Sequence, residues 1–398
     1  MTAPAANTKP SAPLSVATLA RFKPAKIYKT AIDPPPTPSS PSSPQASRPS
    51  LPRHITGICF DDFGETLITA GEDETFRLWN CKTGKHAKTL HSKKYGVDLP
   101  RFTHKNTNII HSSTKEDDTI RYHSLHDNKY LQYFKGHKKS VVSLEVHPLE
   151  DTFMSGSMDN TVRLWDLRTP NCRGLLNLPS SPIVAYDSQG IVFAVAINYY
   201  QKLLLYDLKH FDKEPFLCAD ISDPSLRKTS YPPRNPWMTS MSFSTNSKWI
   251  LIGTSGDAHY VYDSYEGVLL AKLEGFKGLE GGKNGDQYGV SPVKGISGEE
   301  VGWTSDSKFI IGGSFTGKIC MWDCAQIPLM MEANKEEPKV LMPTVTLDGP
   351  PGPVRCVKMN PRHQMLATAG TELAFWLPDL ALEGDKSEDE GKGKERAL

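Results

Sequence analysis

The sequence predicts an all-β protein made of repeated strand units, and one stretch carries most of that prediction. Residues 152–158 and 161–167 are rich in strand-forming residues and are joined by Asp159–Asn160, residue types that favour tight turns. Gly136-His137 lies upstream of them, and Trp165-Asp166 closes the second strand. A Gly-His pair followed about 30 residues later by Trp-Asp is typical of one blade of a β-propeller.

Seven such units follow one another between residues 54 and 380. An aromatic residue near the end of each third strand marks the period, with successive intervals of 43, 43, 41, 56, 60 and 54 residues. The first three intervals match a blade period of about 40–45 residues, and the last three contain insertions at 222–236, 274–298 and 325–343. Such a side chain packs between adjacent sheets, so its recurrence indicates a core. The marking residues are Trp79, Tyr122, Trp165, Tyr206, Tyr262, Trp322 and Trp376.

Each of the first six units contains four short strand-like runs separated by turn residues, and the seventh contains three. We expect a short helical turn in the middle of 325–343. The predicted strands are 55–60, 66–71, 75–80 and 86–91; 97–104, 108–113, 119–125 and 129–134; 141–147, 152–158, 161–167 and 173–178; 183–187, 191–197, 202–208 and 216–221; 238–243, 249–254, 259–263 and 268–273; 300–304, 309–314, 318–323 and 344–347; and 354–359, 365–371 and 372–376.

The seventh unit lacks a fourth strand, and an isolated stretch near the N-terminus supplies a candidate for it. Residues 25–30 alternate like a short strand, whereas eight prolines between 34 and 52 exclude helix and sheet from the segment that follows. A propeller that does not close its ring leaves an unpaired sheet edge. We therefore predict a seven-bladed β-propeller in which the N-terminal strand completes the last blade.

The chain accordingly divides into five predicted segments. The N-terminal segment is rich in Ala, Ser, Thr and Pro without usable periodicity, and the C-terminal segment mixes charges, so both are expected to be disordered or flexible. The segments are the disordered N-terminus 1–21, the closure strand 22–30, the Pro/Ser-rich insertion 31–53, the propeller 54–380 and the charged flexible tail 381–398.

Composition excludes several classes of function. Lys and Arg number 46 against 45 Asp and Glu, a net charge of +1, so no global field favours nucleic acid or a membrane. No apolar run approaches the roughly 18 residues of a membrane span, and residues 14–20 lack the features of a signal peptide, so we expect an intracellular protein. The seven cysteines indicate buried thiols in a reduced compartment. Cys320 and Cys324 have no partner pair for zinc, and we expect no metal or cofactor.

A buried polar network is predicted within the third unit. His137, Asp159, Trp165 and a serine of the second strand, Ser155 or Ser157, would link Asp to His to Ser to the indole N–H. This arrangement resembles that of WD40 repeats, where it fixes the geometry of a blade. A Ser-His-Asp catalytic triad is the alternative, but the stretch lacks an exposed nucleophile turn and an oxyanion hole. We expect a structural network and no catalytic residue.

Function is therefore expected on the loops. Loops that join a fourth strand to the next first strand share one face of a propeller with the turns between second and third strands. Basic and acidic loops lie side by side there, which suits a charged peptide, with or without phosphate groups, more than a DNA backbone. The candidate partner-binding residues are Lys93, Lys94, Tyr95, Asp117, Lys138 and Lys139.

Six stretches depart from a generic repeat, namely residues 92–99, 117–122, 124–130, 161–172, 205–216 and 374–378. Together they resemble the WD-repeat subunit shared by the COMPASS histone H3 methyltransferase complex and the mRNA cleavage and polyadenylation factor. The resemblance covers about residues 22–380, and it fails in the insertions 31–52 and 274–298 and in the tail.

The resemblance implies a seven-bladed WD40 propeller that acts as a non-catalytic nuclear scaffold in histone methylation, mRNA 3′-end processing and transcription termination. The implied partners are the N-terminal region of the methyltransferase subunit, subunits of the cleavage and polyadenylation factor, and the phosphorylated tail of RNA polymerase II. No direct contact with nucleic acid or membrane is expected. The alternative is a WD-repeat substrate receptor of a ubiquitin ligase or another peptide-binding propeller.

Overall fold

The computed structural model describes residues 14–35, 52–226, 237–279, 298–329 and 338–379, which form 29 strands and one short helix, α1 (Val16–Ala20). No helix within these ranges is long and apolar enough to cross a membrane. The strands are β1 (Phe22–Tyr28); β2 (Ile55–Phe60), β3 (Thr66–Gly71), β4 (Thr75–Asn80), β5 (Lys85–His91); β6 (Asp98–Phe102), β7 (Asn108–Ser112), β8 (Ile120–Ser124), β9 (Lys129–Phe134); β10 (Val141–Val146), β11 (Thr152–Ser157), β12 (Thr161–Asp166), β13 (Cys172–Asn177); β14 (Pro182–Tyr186), β15 (Val192–Ile197), β16 (Lys202–Asp207), β17 (Leu217–Asp220); β18 (Met238–Phe243), β19 (Trp249–Thr254), β20 (His259–Asp263), β21 (Leu269–Leu273); β22 (Val301–Trp303), β23 (Phe309–Gly313), β24 (Lys318–Asp323), β25 (Lys339–Leu341), β26 (Val345–Asp348); β27 (Cys356–Met359), β28 (Leu366–Ala369) and β29 (Leu373–Pro378).

The strands form seven sheets, each of which is one blade. The first strand of every blade contacts the first strands of its two neighbours, so β2, β6, β10, β14, β18, β22 and β27 form a closed ring around a central axis. Hydrophobic clusters fill the spaces between adjacent sheets, where strands of two blades contribute side chains. The predicted seven-bladed β-propeller is confirmed.

Closure of the ring by the N-terminal strand is also confirmed. Strand β1 pairs antiparallel with β29, from Phe22 opposite Pro378 to Tyr28 opposite Leu373, and completes the sheet of blade 7. The strand begins earlier than the alternation at 25–30 suggested. Pro24 lies where the register shifts, a position that tolerates proline because the ladder loses a hydrogen bond there in any case.

The predicted disorder of residues 1–21 is wrong for residues 14–21, while residues 1–13 lie outside the described ranges. Ser15 caps α1, since its hydroxyl accepts a hydrogen bond from the Thr18 N–H. Leu14 and Leu19 are 7% and 0% exposed and pack in the core that blades 6 and 7 share. The low-complexity composition concealed this anchor because only two apolar side chains make it.

The beginning of the predicted insertion 31–53 is also ordered, although residues 36–51 lie outside the described ranges. Ala31 and Ile32 are buried beside Ile55, and Asp33 pairs with Arg77 of blade 1 at 2.7 Å between Oδ1 and Nη2. The N-terminal segment thus contacts blades 6, 7 and 1 in turn.

Blade 5 has a fifth strand that the sequence did not predict. Strand β25 pairs parallel with β21, through Ala271 with Lys339 and Leu273 with Leu341. Three residues are too short to produce an alternation that could be recognised in the sequence. The expected helical turn in the middle of 325–343 falls on residues 330–337, outside the described ranges, and a 3-10 turn occupies Cys324–Gln326.

Candidate partner-binding face

The loops from fourth to first strands contact the turns between second and third strands, and together they form what we call the upper face. In blade 3 the backbone N–H of Lys138 donates to Asp159 Oδ2 over 2.9 Å. In blade 2 the N–H groups of Thr114 and Lys115 both donate to the carbonyl oxygen of Tyr95, over 3.0 and 2.9 Å. These hydrogen bonds fix the loops to the blades that carry them.

The structure joins the predicted polar residues of blade 3 in a single chain. The indole N–H of Trp165 donates to Ser155 Oγ over 2.9 Å, and Ser155 Oγ lies 2.7 Å from His137 Nε2. His137 Nδ1 in turn lies 3.0 Å from Asp159 Oδ2. Since an indole can only donate, the serine hydroxyl donates to Nε2, and the imidazole proton sits on Nδ1 and bonds the carboxylate.

The charges of this chain agree with that proton arrangement. Burial lowers the pKa of His137, and its hydrogen bond to Asp159 does not offset the effect, so the ring is neutral at pH 7. Burial opposes ionisation of Asp159, but hydrogen bonds from Thr161, the Lys138 N–H and His137 outweigh it and lower the pKa to about 2. The network therefore contains one carboxylate and no buried cation.

The two serines that the sequence left open have different partners. Ser157 Oγ donates to the carbonyl of Lys139 over 2.8 Å and accepts from the Asp159 N–H, so it braces the loop and the turn. Ser155 is 0% exposed and already lies between an indole and an imidazole. A substrate has no route to that hydroxyl, and the arrangement holds the Gly136-His137 loop in place.

In blade 2 the buried ring of the third strand lies one residue later than the sequence pattern predicts. The aromatic period in the sequence aligns Tyr122 with Trp165, but strand register places His123 there. Ile109 pairs with His123 as Phe153 pairs with Trp165. The sheet irregularity before Trp165 recurs before His123. A one-residue shift exchanges the two faces of a strand, so His123 is buried at 2% exposure and Tyr122 is only partly buried.

Tyr95 has in blade 2 the position that His137 has in blade 3. Tyr95 precedes Asp117 by 22 residues, as His137 precedes Asp159. Its ring centre lies 3.7 Å from the guanidinium carbon of Arg121, a cation–π contact. Arg121 is 2% exposed and binds both oxygens of Asp117, at 2.9 and 3.0 Å. Arg121 was not predicted from the sequence, although its spacing from Asp117 matches that of Arg163 from Asp159.

Aromatic rings continue from this arginine into the interior and out to the surface. Tyr130 and Tyr133 each lie 5.7 Å from the Arg121 carbon, and the Tyr130 hydroxyl lies 2.9 Å from Ser92 Oγ. Ring centres then follow at 4.8 Å from Tyr130 to His123 and at 5.8 Å from His123 to His111. Burial lowers the pKa of His123, and it lowers that of His111 to about 3, so both rings are neutral.

The six candidate binding residues therefore fall into two groups. Lys93, Lys94, Lys138 and Lys139 are exposed on the upper face of blades 1 to 3, with Lys94 Nζ 5.1 Å from the Tyr95 ring centre. Asp117 is held by Arg121, and although burial alone would raise its pKa, that partner lowers it. Tyr95 is half-buried over the same arginine, so Tyr95 and Asp117 shape the surface while the lysines present charge.

Among the described residues, no three His, Cys, Asp or Glu side chains come together as a possible set of metal ligands.

Residues 46–80 and 128–166 match the family model described as WD domain, G-beta repeat. The chain is 42% identical over 324 residues to WD repeat-containing protein 82 of Drosophila melanogaster, which covers 81% of this chain and 90% of that protein. It is 35% identical over 345 residues to Set1 complex component swd2 of Schizosaccharomyces pombe, covering 81% and 92%. It is 31% identical over 327 residues to COMPASS component SWD2 of Saccharomyces cerevisiae, covering 82% and 91%.

Proposed function

The chain belongs to the family of WD-repeat proteins that includes Set1 complex component swd2 and COMPASS component SWD2, and we propose that it serves the same kind of complex. It would be a non-catalytic scaffold subunit of a nuclear histone H3 lysine methyltransferase. The observation that carries this proposal is the similarity to two named complex components over more than nine tenths of their length.

The proposal extends to specific partners. The propeller would bind the N-terminal region of the methyltransferase subunit, and a second pool would join the cleavage and polyadenylation factor in mRNA 3′-end processing and transcription termination. The phosphorylated tail of RNA polymerase II would be a further ligand. Exposed lysines on the upper face support an acidic or phosphorylated segment as the ligand, since complementary charge favours encounter and fixes orientation.

The rigidity of the upper face supports the scaffold role. Its loops are bonded to blade turns through Asp159, Ser157 and the carbonyl of Tyr95. A disordered partner segment can bind such a surface without the scaffold also losing conformational freedom, which lowers the entropic cost of association.

Affinity purification of the tagged chain from its native nuclei tests the assembly. We expect subunits of a Set1-type methyltransferase and of the 3′-end processing machinery to be recovered at stoichiometric levels. Recovery of cullin-type ubiquitin ligase subunits in their place would overturn the proposal.

Charge reversal tests the assigned face. We expect the double substitutions K93E/K94E and K138E/K139E each to weaken binding of the recombinant methyltransferase N-terminal region by about tenfold or more, with a reduced dependence on salt. The matched control is K105E/K248E, whose exposed lysines lie in turns between first and second strands on the opposite face. Equal weakening by the control would show that net charge, and not this face, determines binding.

A further inference from the structure

The axis of the propeller contains a cavity of about 230 Å³ whose wall is not simply apolar. First strands of several blades line it, and Arg101 of β6, Glu145 of β10 and Lys358 of β27 project charged side chains there. Ser240 and Ser242 of β18 and Trp303 of β22 line the same space. We call this space the axial cavity.

Two cations in the wall share one closely held carboxylate. Glu299 is 0% exposed, and its Oε1 lies 2.7 Å from Arg101 Nη1 while its Oε2 lies 3.1 Å from Lys358 Nζ. The second carboxylate, that of Glu145, lies 3.4 Å from Arg101 Nη2, longer than the roughly 2.7–2.9 Å of a good charge-assisted hydrogen bond. Glu145 therefore pairs with Arg101 less closely than Glu299 does.

One neighbouring acid adds no negative charge at neutral pH. Burial raises the pKa of Glu300 to about 8, and this carboxyl group is hydrogen-bonded to the hydroxyl of Thr239, so it is neutral at pH 7. Lys358 carries three N–H donors, and among the described residues Glu299 is the one acid within ion-pair distance of its Nζ.

Charges removed from bulk water are costly unless a partner compensates them. Arg101 and Lys358 face one cavity from opposite sides of the Glu299 carboxylate, and their side chains are 14% and 36% exposed. A planar guanidinium group and an ammonium group that both face a space lined by serines are suited to bind a tetrahedral oxyanion.

We propose that the axial cavity binds a small oxyanion, a phosphate group, between Arg101 and Lys358, with Glu145 displaced from Arg101. The phosphate could be inorganic or could belong to a small phosphorylated metabolite, since the cavity has room for a few additional atoms. Such a ligand would stabilise the ring from its centre, because a ligand that binds only the native state raises the unfolding temperature.

Thermal unfolding of the full chain in inorganic phosphate, at ionic strength held constant with chloride, tests this site. We expect a saturable rise in Tm. Lys358→Met should weaken the apparent affinity by about tenfold or more, whereas Lys318→Met, an exposed lysine of β24, should not change it. A rise of the same size in Lys358→Met, or no rise beyond that in chloride alone, would overturn the proposal.

Glu145→Gln provides a second variant if Lys358→Met fails to fold. Removing the competing carboxylate should tighten phosphate binding several-fold, and a loss or absence of change would contradict the site. Glycerol phosphate distinguishes the source of the ligand: tighter binding than inorganic phosphate indicates a phosphorylated metabolite, and equal or weaker binding indicates the free ion.

Discussion

Blades 2 and 3 have the same backbone pattern but hold their turns and loops with different side chains. In both, an aspartate in the turn between second and third strands accepts from the N–H of a threonine two residues later, over 3.3 Å in blade 2 and 3.0 Å in blade 3. Where blade 3 has a chain of hydrogen-bonded polar side chains, blade 2 has an arginine and a stack of rings. The corresponding residues are Tyr95 and His137, His111 and Ser155, Asp117 and Asp159, Arg121 and Arg163, and His123 and Trp165.

The strand register and the aspartate turn therefore define a blade, whereas the buried polar chain is replaceable. In blade 3 each buried polar group is hydrogen-bonded to the next, and the chain ends at Asp159. Blade 2 instead keeps His111 and His123 neutral by burial and places the buried cation Arg121 against Asp117 and Tyr95. Both arrangements avoid an uncompensated buried charge.

The largest expected effect is the loss of the blade 3 indole. Trp165→Ala removes a fully buried ring that packs against Phe134 and Phe153, and we expect a loss of about 3–5 kcal/mol in the free energy of unfolding. His123→Ala, at the equivalent position, removes a smaller ring and should cost clearly less. Urea unfolding at pH 7 measures both, and equal losses would show that the two positions do not differ as the structure indicates.

The second effect isolates the polar chain of blade 3. Ser155→Ala leaves the Trp165 N–H and His137 Nε2 without their shared partner, and each is buried, so we expect a loss of about 2 kcal/mol. Ser140→Ala, at an exposed serine of the adjacent loop, should change the free energy of unfolding by less than about 0.5 kcal/mol. A Ser155→Ala protein as stable as the Ser140→Ala protein would refute a stabilising network.

Much of this fold could be predicted because its signals are local and repeated. The Asp-x-Thr turn and the Trp-Asp ending identify blade 3, and the missing fourth strand of blade 7 identifies β1 as its replacement. Helix α1 and strand β25 could not be predicted because each is short, and its stability depends on a distant surface: the core of blades 6 and 7 for Leu19, and β21 for Leu341.

The blade 3 network and the axial cavity also differ in how far the sequence could predict them. His137, Ser155, Asp159 and Trp165 lie within 29 residues of sequence, and their identities are characteristic of the repeat. Arg101, Glu299 and Lys358 are separated by 198 and 59 residues, and only closure of the ring brings them to one cavity. The error at Tyr122 arose because an aromatic residue next to His123 fitted the expected position, and only strand pairing distinguishes the two faces.

A third, smaller effect tests the blade 2 cation. Arg121→Met breaks the two bonds to Asp117 and the contact with Tyr95, but Asp117 is partly exposed and can be rehydrated, so we expect a loss of about 1–2 kcal/mol. Arg163→Met is the matched control, because no carboxylate pairs with Arg163 among the residues that the structure describes. Urea unfolding should show a smaller loss of unfolding free energy for Arg163→Met than for Arg121→Met. A larger loss in Arg163→Met would contradict the assignment.

The smallest effect concerns pH and the histidines that blade 2 uses where blade 3 has Ser155 and Trp165. The pKa of His111 is about 3 when folded and about 6.5 when unfolded, so the unfolded chain takes up the proton first as the pH falls. Stability is therefore intact above pH 6.5 and decreases below it, by about 1 kcal/mol per pH unit for this one residue.

His111→Phe should remove this contribution while keeping the ring contact with Phe76 at 4.8 Å. Stability at pH 7 should fall by about 1 kcal/mol or less, since the ring loses one 3.2 Å hydrogen bond from Nδ1 to the Ser112 carbonyl and its buried Nε2 has no partner within the described part of the chain. The slope of unfolding free energy between pH 6.5 and 5 should become shallower than in the intact protein. An unaltered slope in His111→Phe would mean that His111 is protonated in the folded blade, and that blade 2 tolerates a second buried cation beside Arg121.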